Sequence, residues 1–170
     1  MLDAKVVQLL NQQVNKEFYS AYLYLDFSNY FYDRELNGFG NWYKIQAQEE
    51  RDHALLFIQY LQNNGEKVTL EGIDKPSVEL TDDITVLKAG LAHENYVTSL
   101  IHTIYEAAYS VKDFRTMQFL DWFVKEQGEE ENNADGLVKK FELYGSDPRS
   151  LYMLDSEMAA RVYAAPSLVL

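Results

Sequence analysis

Residues 43–61 read YKIQAQEERDHALLFIQYL, and this stretch decides the fold. Tyr43, Ala47, Glu50, His53, Phe57 and Leu61 recur at steps of three and four, so they share one stripe of an α-helix. Four of the six belong in a core. Glu50 and His53 lie mid-stripe, where a helical bundle normally buries leucine. A carboxylate in apolar surroundings is strongly unfavourable unless it is paired or holds a cation. Glu50 and His53 are one helical turn apart, so both side chains reach a single ion.

The same anomaly recurs on three further helices. The first runs from about Asp3 to Asp33, with Val6, Leu10, Val14, Phe18, Ala21 and Leu25 at the helical period. Its stripe of Leu10, Val14, Glu17, Ala21 and Tyr24 is interrupted by Glu17. The second helix spans about Phe39 to Asn64, after the break at Gly38 and Gly40, and stops at Gly65. Glu66 to Leu80 has no helical period and contains Gly72 and Pro76, so it reads as a long connection. Thr81 reads as the cap, and Asp82 with Asp83 as the acidic first turn, of a third helix that continues to about Val111. Glu94 interrupts its stripe of Leu87, Leu91, Val97 and Ile101.

A break near Lys112 and Asp113 starts the fourth helix, which ends at Tyr144 before Gly145. Gln127 and Glu130 fall among Leu120, Phe123, Ala134, Leu137 and Phe141. Asp147-Pro148 opens a short fifth helix, about residues 147–164, that ends before Pro166. Its apolar face carries Leu151, Tyr152, Leu154 and Met158. The pattern predicts an all-α fold in one domain, residues 1–170. A four-helix bundle over about 3–145 has one long crossover between its second and third helices and carries a short fifth helix.

Glu17, Glu50, Glu94 and Glu130 each lie near the middle of a predicted helix. Midpoints in an antiparallel bundle share one level, so the four carboxylates converge with His53 and Gln127. A lone glutamate on such a stripe is ordinarily a snorkelling edge residue. Four at one level without Lys or Arg on the central stripes point instead to a metal site. Oxygen and imidazole donors without thiolate suit Fe, Mn or Zn. Glu49, Glu126 and Glu129 lie beside this set, either as a more open cation site with Glu130 or as a solvated acidic face. His93 and His102 read as ordinary surface or edge residues. Gly128 inside the fourth helix reads as a close approach near the metals or as a local helix distortion.

Composition sets limits around this reading. With 170 residues the chain is long enough for one sizeable core, and its net charge of -12 argues against a nucleic-acid partner. The charge suits cation attraction or plain solubility. No cysteine is present, which removes disulfides and thiolate sites. MLDAKVVQLL does not read as a secretory signal, and no segment approaches the ~20 apolar residues of a membrane span. The expected setting is cytoplasmic, with no membrane partner.

Glu17 with Tyr24, the run QEERDH at 48–53, Glu94, and EQGEEE at 126–131 together resemble the non-haem ferritins of bacteria, across nearly the whole chain. The resemblance implies a ferroxidase centre for two irons per subunit. Glu17, Glu50 and His53 would hold the first iron. Glu50 would bridge to a second, completed by Glu94 and Glu130, with Gln127 close by. Glu49, Glu126, Glu129 and Glu130 resemble a third iron site, and Tyr24 and Trp122 resemble redox-active aromatics. The implied activity is Fe(II) oxidation by O2 or H2O2, with ferric mineral stored in a hollow octahedral homo-oligomer of twenty-four copies.

Two departures from the haem-binding relatives matter. The fourth helix has no His, and Asp52 stands in the neighbourhood where those relatives place a haem-ligating Met, so no haem is expected. The competing readings are another di-iron carboxylate oxidase or peroxidase without a cage, a metal-free structural bundle, and a DNA-protecting mini-ferritin. The missing second His speaks against the first of these. The charge and the fifth helix speak against the last. Ser167 to Leu170 reads as tail, channel plug or disorder.

Overall fold

A computed structural model describes residues 2–170. Among them lie five helices: α1 (Ala4–Asp33), α2 (Asn37–Asn63), α3 (Asp83–Ser110), α4 (Phe114–Tyr144) and α5 (Pro148–Ala159), with no strand. Asp3, Asp82, Asp113 and Asp147 each accept a backbone N–H of the turn that follows, which fixes four of the five starts. α2 is the exception. Its N-cap is Leu36, which supplies no side-chain bond. The Asp155 carboxylate of α5 accepts from the Phe39 N–H at 3.0 Å and takes the place of the missing cap. This remote cap explains why α2 begins at Asn37 rather than at the expected Phe39. In α3 the cap is Asp82, one residue on from the expected Thr81.

α1, α2 and α3 end in the same way. Leu36, Glu66 and Asp113 donate their N–H to the carbonyls of Phe31, Leu61 and Ala108, around Glu35, Gly65 and Lys112 in the left-handed region. Two of these three positions carry a side chain, a local strain that the tight reversals impose.

α1 pairs with α2, and α3 with α4. The crossover of about residues 64–82 then has to span the bundle, because α2 ends among the residues packed around Val6 and Phe119 whereas α3 starts beside Phe39 and Leu137. α3 alone is about 42 Å long at 1.5 Å per residue. α1 holds the crossover in place: Asn11 donates to the Lys67 carbonyl and accepts from the Thr69 N–H, and Asn15 donates to the Gly72 carbonyl.

The apolar core is divided. One cluster contains Val6, Leu10, Val14, Phe57, Leu61, Val97, Ile101, Phe119 and Phe123. The other contains Leu23, Tyr24, Phe27, Phe31, Phe39, Tyr43, Leu87 and Leu137. Between them lies a buried layer of Gln13, Glu17, Gln46, Glu50, His53, Glu94, Gln127 and Glu130. The face of α1 that enters the core is therefore the one through Leu10, Glu17 and Tyr24. Leu25, expected on the apolar stripe, is 43% exposed. With Phe18, Tyr22, Ile45 and Ile73 it lines an apolar groove of about 710 Å³ on the outside of α1 and α2.

α5 stops at Ala159, short of the expected 164, and the chain continues without regular structure. Leu154 and Met158 are buried, but Tyr152 points to solvent. Arg161 terminates the helix by binding sideways to α2: it donates to the Trp42 carbonyl, to Gln46 and to Glu49. The Tyr163 hydroxyl donates to Asp52, and Ser167 accepts from the Trp122 indole, so the last residues form a strap along α2 and α4.

Gly128 fits neither reading offered for it. α4 is regular through it, and a Cβ there would meet nothing within 4 Å. Gly128→Ala should therefore raise stability by about 1 kcal/mol, measured by urea unfolding. A loss instead would mean that a neighbouring chain fills that space. Among the described residues, no helix is long and apolar enough to cross a membrane.

Candidate metal centre

The buried layer is assembled from four helices at mid-height. Glu17 comes from α1, Glu50 and His53 from α2, Glu94 from α3, and Gln127 and Glu130 from α4, each at most 7% exposed. Ligand atoms of Glu17, Glu50 and His53 lie within 4.8 Å of one another, as do those of Glu50, Glu94 and Glu130. Glu50 belongs to both sets. A third set joins His53, Glu126 and Glu130.

Three buried atoms in this layer, Glu17 Oε2, His53 Nδ1 and Glu130 Oε2, have no hydrogen-bond partner. Such atoms are costly in a folded core and mark a place for a ligand. Glu50 Oε2 lies 3.4 Å from His53 Nδ1, and the other oxygens are held. Gln13, one turn before Glu17, donates to its Oε1 at 2.8 Å. Gln46, one turn before Glu50, donates to Glu50 Oε1 at 3.1 Å and to Glu130 Oε1 at 3.0 Å. The Tyr24 hydroxyl donates to Glu94 Oε1, and Gln127 Nε2 donates to Glu94 Oε2 at 3.2 Å. Gln127 and Tyr24 thus orient Glu94. This is the arrangement by which outer groups fix ligands around an ion.

Gln13 and Gln46 were not singled out from sequence. Their signal was present: each is a polar residue on an apolar stripe, four residues before a buried glutamate. Arg161 was also missed: it lies beyond the four long helices, whose central stripes carry no Lys or Arg, yet its side chain reaches the edge of the layer. Its guanidinium lies over the Trp42 ring at 4.2 Å and contacts Glu49 at 2.5 Å. His93 is an edge residue, as expected, but more closely packed than the sequence indicates. It is half-buried, packed among Tyr19, Tyr24 and Tyr96, and its Nε2 lies 2.7 Å from Ser20 Oγ. His102 is exposed. The Trp122 ring stands edge-on to His53 at 5.5 Å.

Glu49, Glu126 and Glu129 line one cavity of about 230 Å³, together with His53 and Glu130. Only Glu126 joins a ligand-distance set there, because Glu49 is turned to Arg161 and Glu129 is exposed. The cavity opens from the carboxylate layer toward the strap.

Burial pushes the Glu17 carboxyl up to about 8, with the charge of Glu50 adding to it. Glu50 is held well above the usual carboxylate range by burial and by Glu94, and Glu130 by burial and by Glu50. The metal-free layer therefore carries protons at neutral pH. The unfolded chain gives the Glu17 proton up near pH 4.5, whereas the folded state holds it up to about 8. Stability of the metal-free protein should fall as pH rises through this window, by about 1.4 kcal/mol per unit from Glu17. A divalent ion bound there would replace the protons, so its affinity should rise about tenfold per pH unit for each proton released. Urea unfolding at pH 5 to 8, with and without Zn(II), checks both slopes. Parallel curves would remove the layer from metal binding.

Fold and layer together define a class: a four-helix bundle with one full-length crossover and a buried carboxylate-histidine cluster at mid-height. The ferritin-like domain family matches residues 7–144, and the chain belongs to that family. It is 39% identical over 155 residues to a bacterial non-heme ferritin of Campylobacter jejuni, covering 91% of this chain and 93% of that one. It is 34% identical over 163 residues to a bacterial non-heme ferritin of Staphylococcus epidermidis, covering 96% and 98%. Among solved structures, an open pore ferritin from the hyperthermophilic archaeon Archaeoglobus fulgidus superposes with a TM-score of 0.93 at 40% identity. That match covers 95% of this chain and all of the other.

Proposed function

We propose that this chain oxidises Fe(II) at the carboxylate layer and stores the ferric product inside a hollow assembly of its own copies. The observation that carries the reading is Glu50, shared between two ligand-distance sets. One carboxylate facing both sets is what a bridged pair of ions needs. Glu17, Glu50 and His53 would bind one Fe(II), and Glu50, Glu94 and Glu130 the other.

Each iron gives up one electron, and the pair delivers two together to O2 or H2O2. Anionic oxygen donors favour Fe(III) over Fe(II), so the ligand set drives the oxidation forward. Tyr24 and Gln127 position Glu94, while Gln46 positions Glu50 and Glu130. The neighbouring cavity with Glu126 and Glu129 offers the oxidised ion a path out. Storage requires an enclosed volume that one bundle lacks. The apolar groove on α1 and α2, with Tyr22 51% and Leu25 43% exposed, suits burial against another copy. Family membership favours a cage of twenty-four, in a cytoplasmic setting.

The test is the rate of Fe(II) oxidation in air by metal-free protein at about two irons per chain, alongside its mass in solution. Oxidation well above buffer by a large closed oligomer is expected. A rate equal to buffer would sink the ferroxidase reading, and a monomer would sink the store.

A further inference from the structure

The cavity beside the carboxylate layer already contains a cation. Arg161 enters it from beyond α5, its side chain only 16% exposed, and contacts Glu49 at 2.5 Å. It also donates to Gln46 Oε1 at 2.9 Å, and Gln46 in turn donates to Glu50 and Glu130. The guanidinium is therefore one side chain away from two of the carboxylates in the layer. Residues 164–167 complete the wall, anchored by the Trp122 indole on Ser167 at 3.0 Å. Glu130 Oε2 has no partner, and its side chain, more than nine-tenths buried, lines this same cavity beside His53, whose Nδ1 makes no hydrogen bond and lies 3.4 Å from Glu50 Oε2.

We propose that Arg161 is a built-in counter-cation that competes with metal for this cavity. An ion moving from Glu130 toward Glu126 and Glu129 is admitted only as the guanidinium leaves Glu49. The physical ground is charge. With Arg161 in place, one carboxylate of the cavity is already neutralised, and a divalent ion beside it meets a fixed positive charge in a partly desolvated space. With Arg161 withdrawn, Glu49 is freed as a ligand and the repulsion disappears. Two cations that exclude one another in this way are coupled reciprocally: metal in the cavity loosens Arg161 as strongly as Arg161 weakens the metal. The strap then acts as a positioning element for the passage of iron out of the layer. The inference rests on the layer being a two-ion centre, and its test separates the two claims.

Zn(II), which does not oxidise, is titrated into metal-free full-length protein by calorimetry, and bound ions are counted per chain. The parent should take up two ions tightly and a third weakly. Arg161→Gln should bind the third about tenfold more tightly and leave the first two unchanged, whereas Arg161→Lys, which keeps the charge, should behave as the parent. Equal affinity for the third ion in parent and Arg161→Gln overturns the proposal. So does an Arg161→Lys protein that matches Arg161→Gln, since packing rather than charge would then govern. Should Arg161→Gln not fold, tryptic cleavage after Arg161 in the parent reports release of the guanidinium instead. It should speed up in step with the third ion, and a change complete within the first two overturns the idea. Glu50→Ala serves as the separate control: two tight ions retained there would refute the underlying centre instead.

Discussion

Glu50→Ala should abolish rapid Fe(II) oxidation and the tight binding of two ions per chain. Changes to groups that merely orient a ligand cost up to about a hundredfold in metal affinity. Glu50 is a member of two ligand-distance sets, so its loss removes a donor from both positions at once and should exceed that range. Gln46→Ala provides the graded comparison. It leaves every carboxylate in place but removes the bonds to Glu50 and Glu130, and a reduction of about tenfold is expected. Anaerobic Fe(II) binding and stopped-flow oxidation in air measure both variants. A Glu50→Ala protein that still oxidises iron at the parental rate would place the chemistry elsewhere.

Gly38→Ala should dislodge α5. A Cβ at Gly38 would lie 1.7 Å from the Asp155 carbonyl oxygen, a main-chain atom that no rotamer change can move. Either α2 or α5 must shift. α5 is the weaker partner, because twelve residues form a marginal helix on their own. The same movement removes Asp155 from the Phe39 N–H, and with it the side-chain cap at the start of α2. Overpacking of about 2 kcal/mol would speed local opening about thirtyfold. Tryptic cleavage after Arg161, which is enclosed in the parent, reads this directly. The two tight ions should be retained, since α1 to α4 supply their ligands. Unchanged cleavage would show that α5 is held by other contacts.

Much of this was legible in the sequence because it is local. Helical period places the helices, the Asp147 cap marks the start of α5, and a glutamate in mid-stripe announces the layer wherever it occurs. Leu25 misled because α1 has two apolar stripes, and period alone cannot say which one enters the core. The features that escaped depend on distant partners. Arg161 meets Glu49 across 112 positions, and Asp155 meets Phe39 across 116. No spacing rule connects such pairs. The early end of α5 and the early start of α2 both follow from them. The close packing of His93 escaped for a related reason: its neighbours Tyr19, Ser20 and Tyr24 lie on another helix.

The division of the core into two apolar clusters makes the bundle resemble two blocks joined at a waist. Each block has its own aromatic stack, Tyr60 on Phe119 in one and Phe31 on Tyr43 in the other, so each can hold its shape with little help from its counterpart. At the waist the helices are joined by hydrogen bonds and protonated carboxylates rather than by interlocking methyl groups. An ion seated there fastens four helices at one point. Filling the centre would thus convert two loosely coupled cooperative units into one.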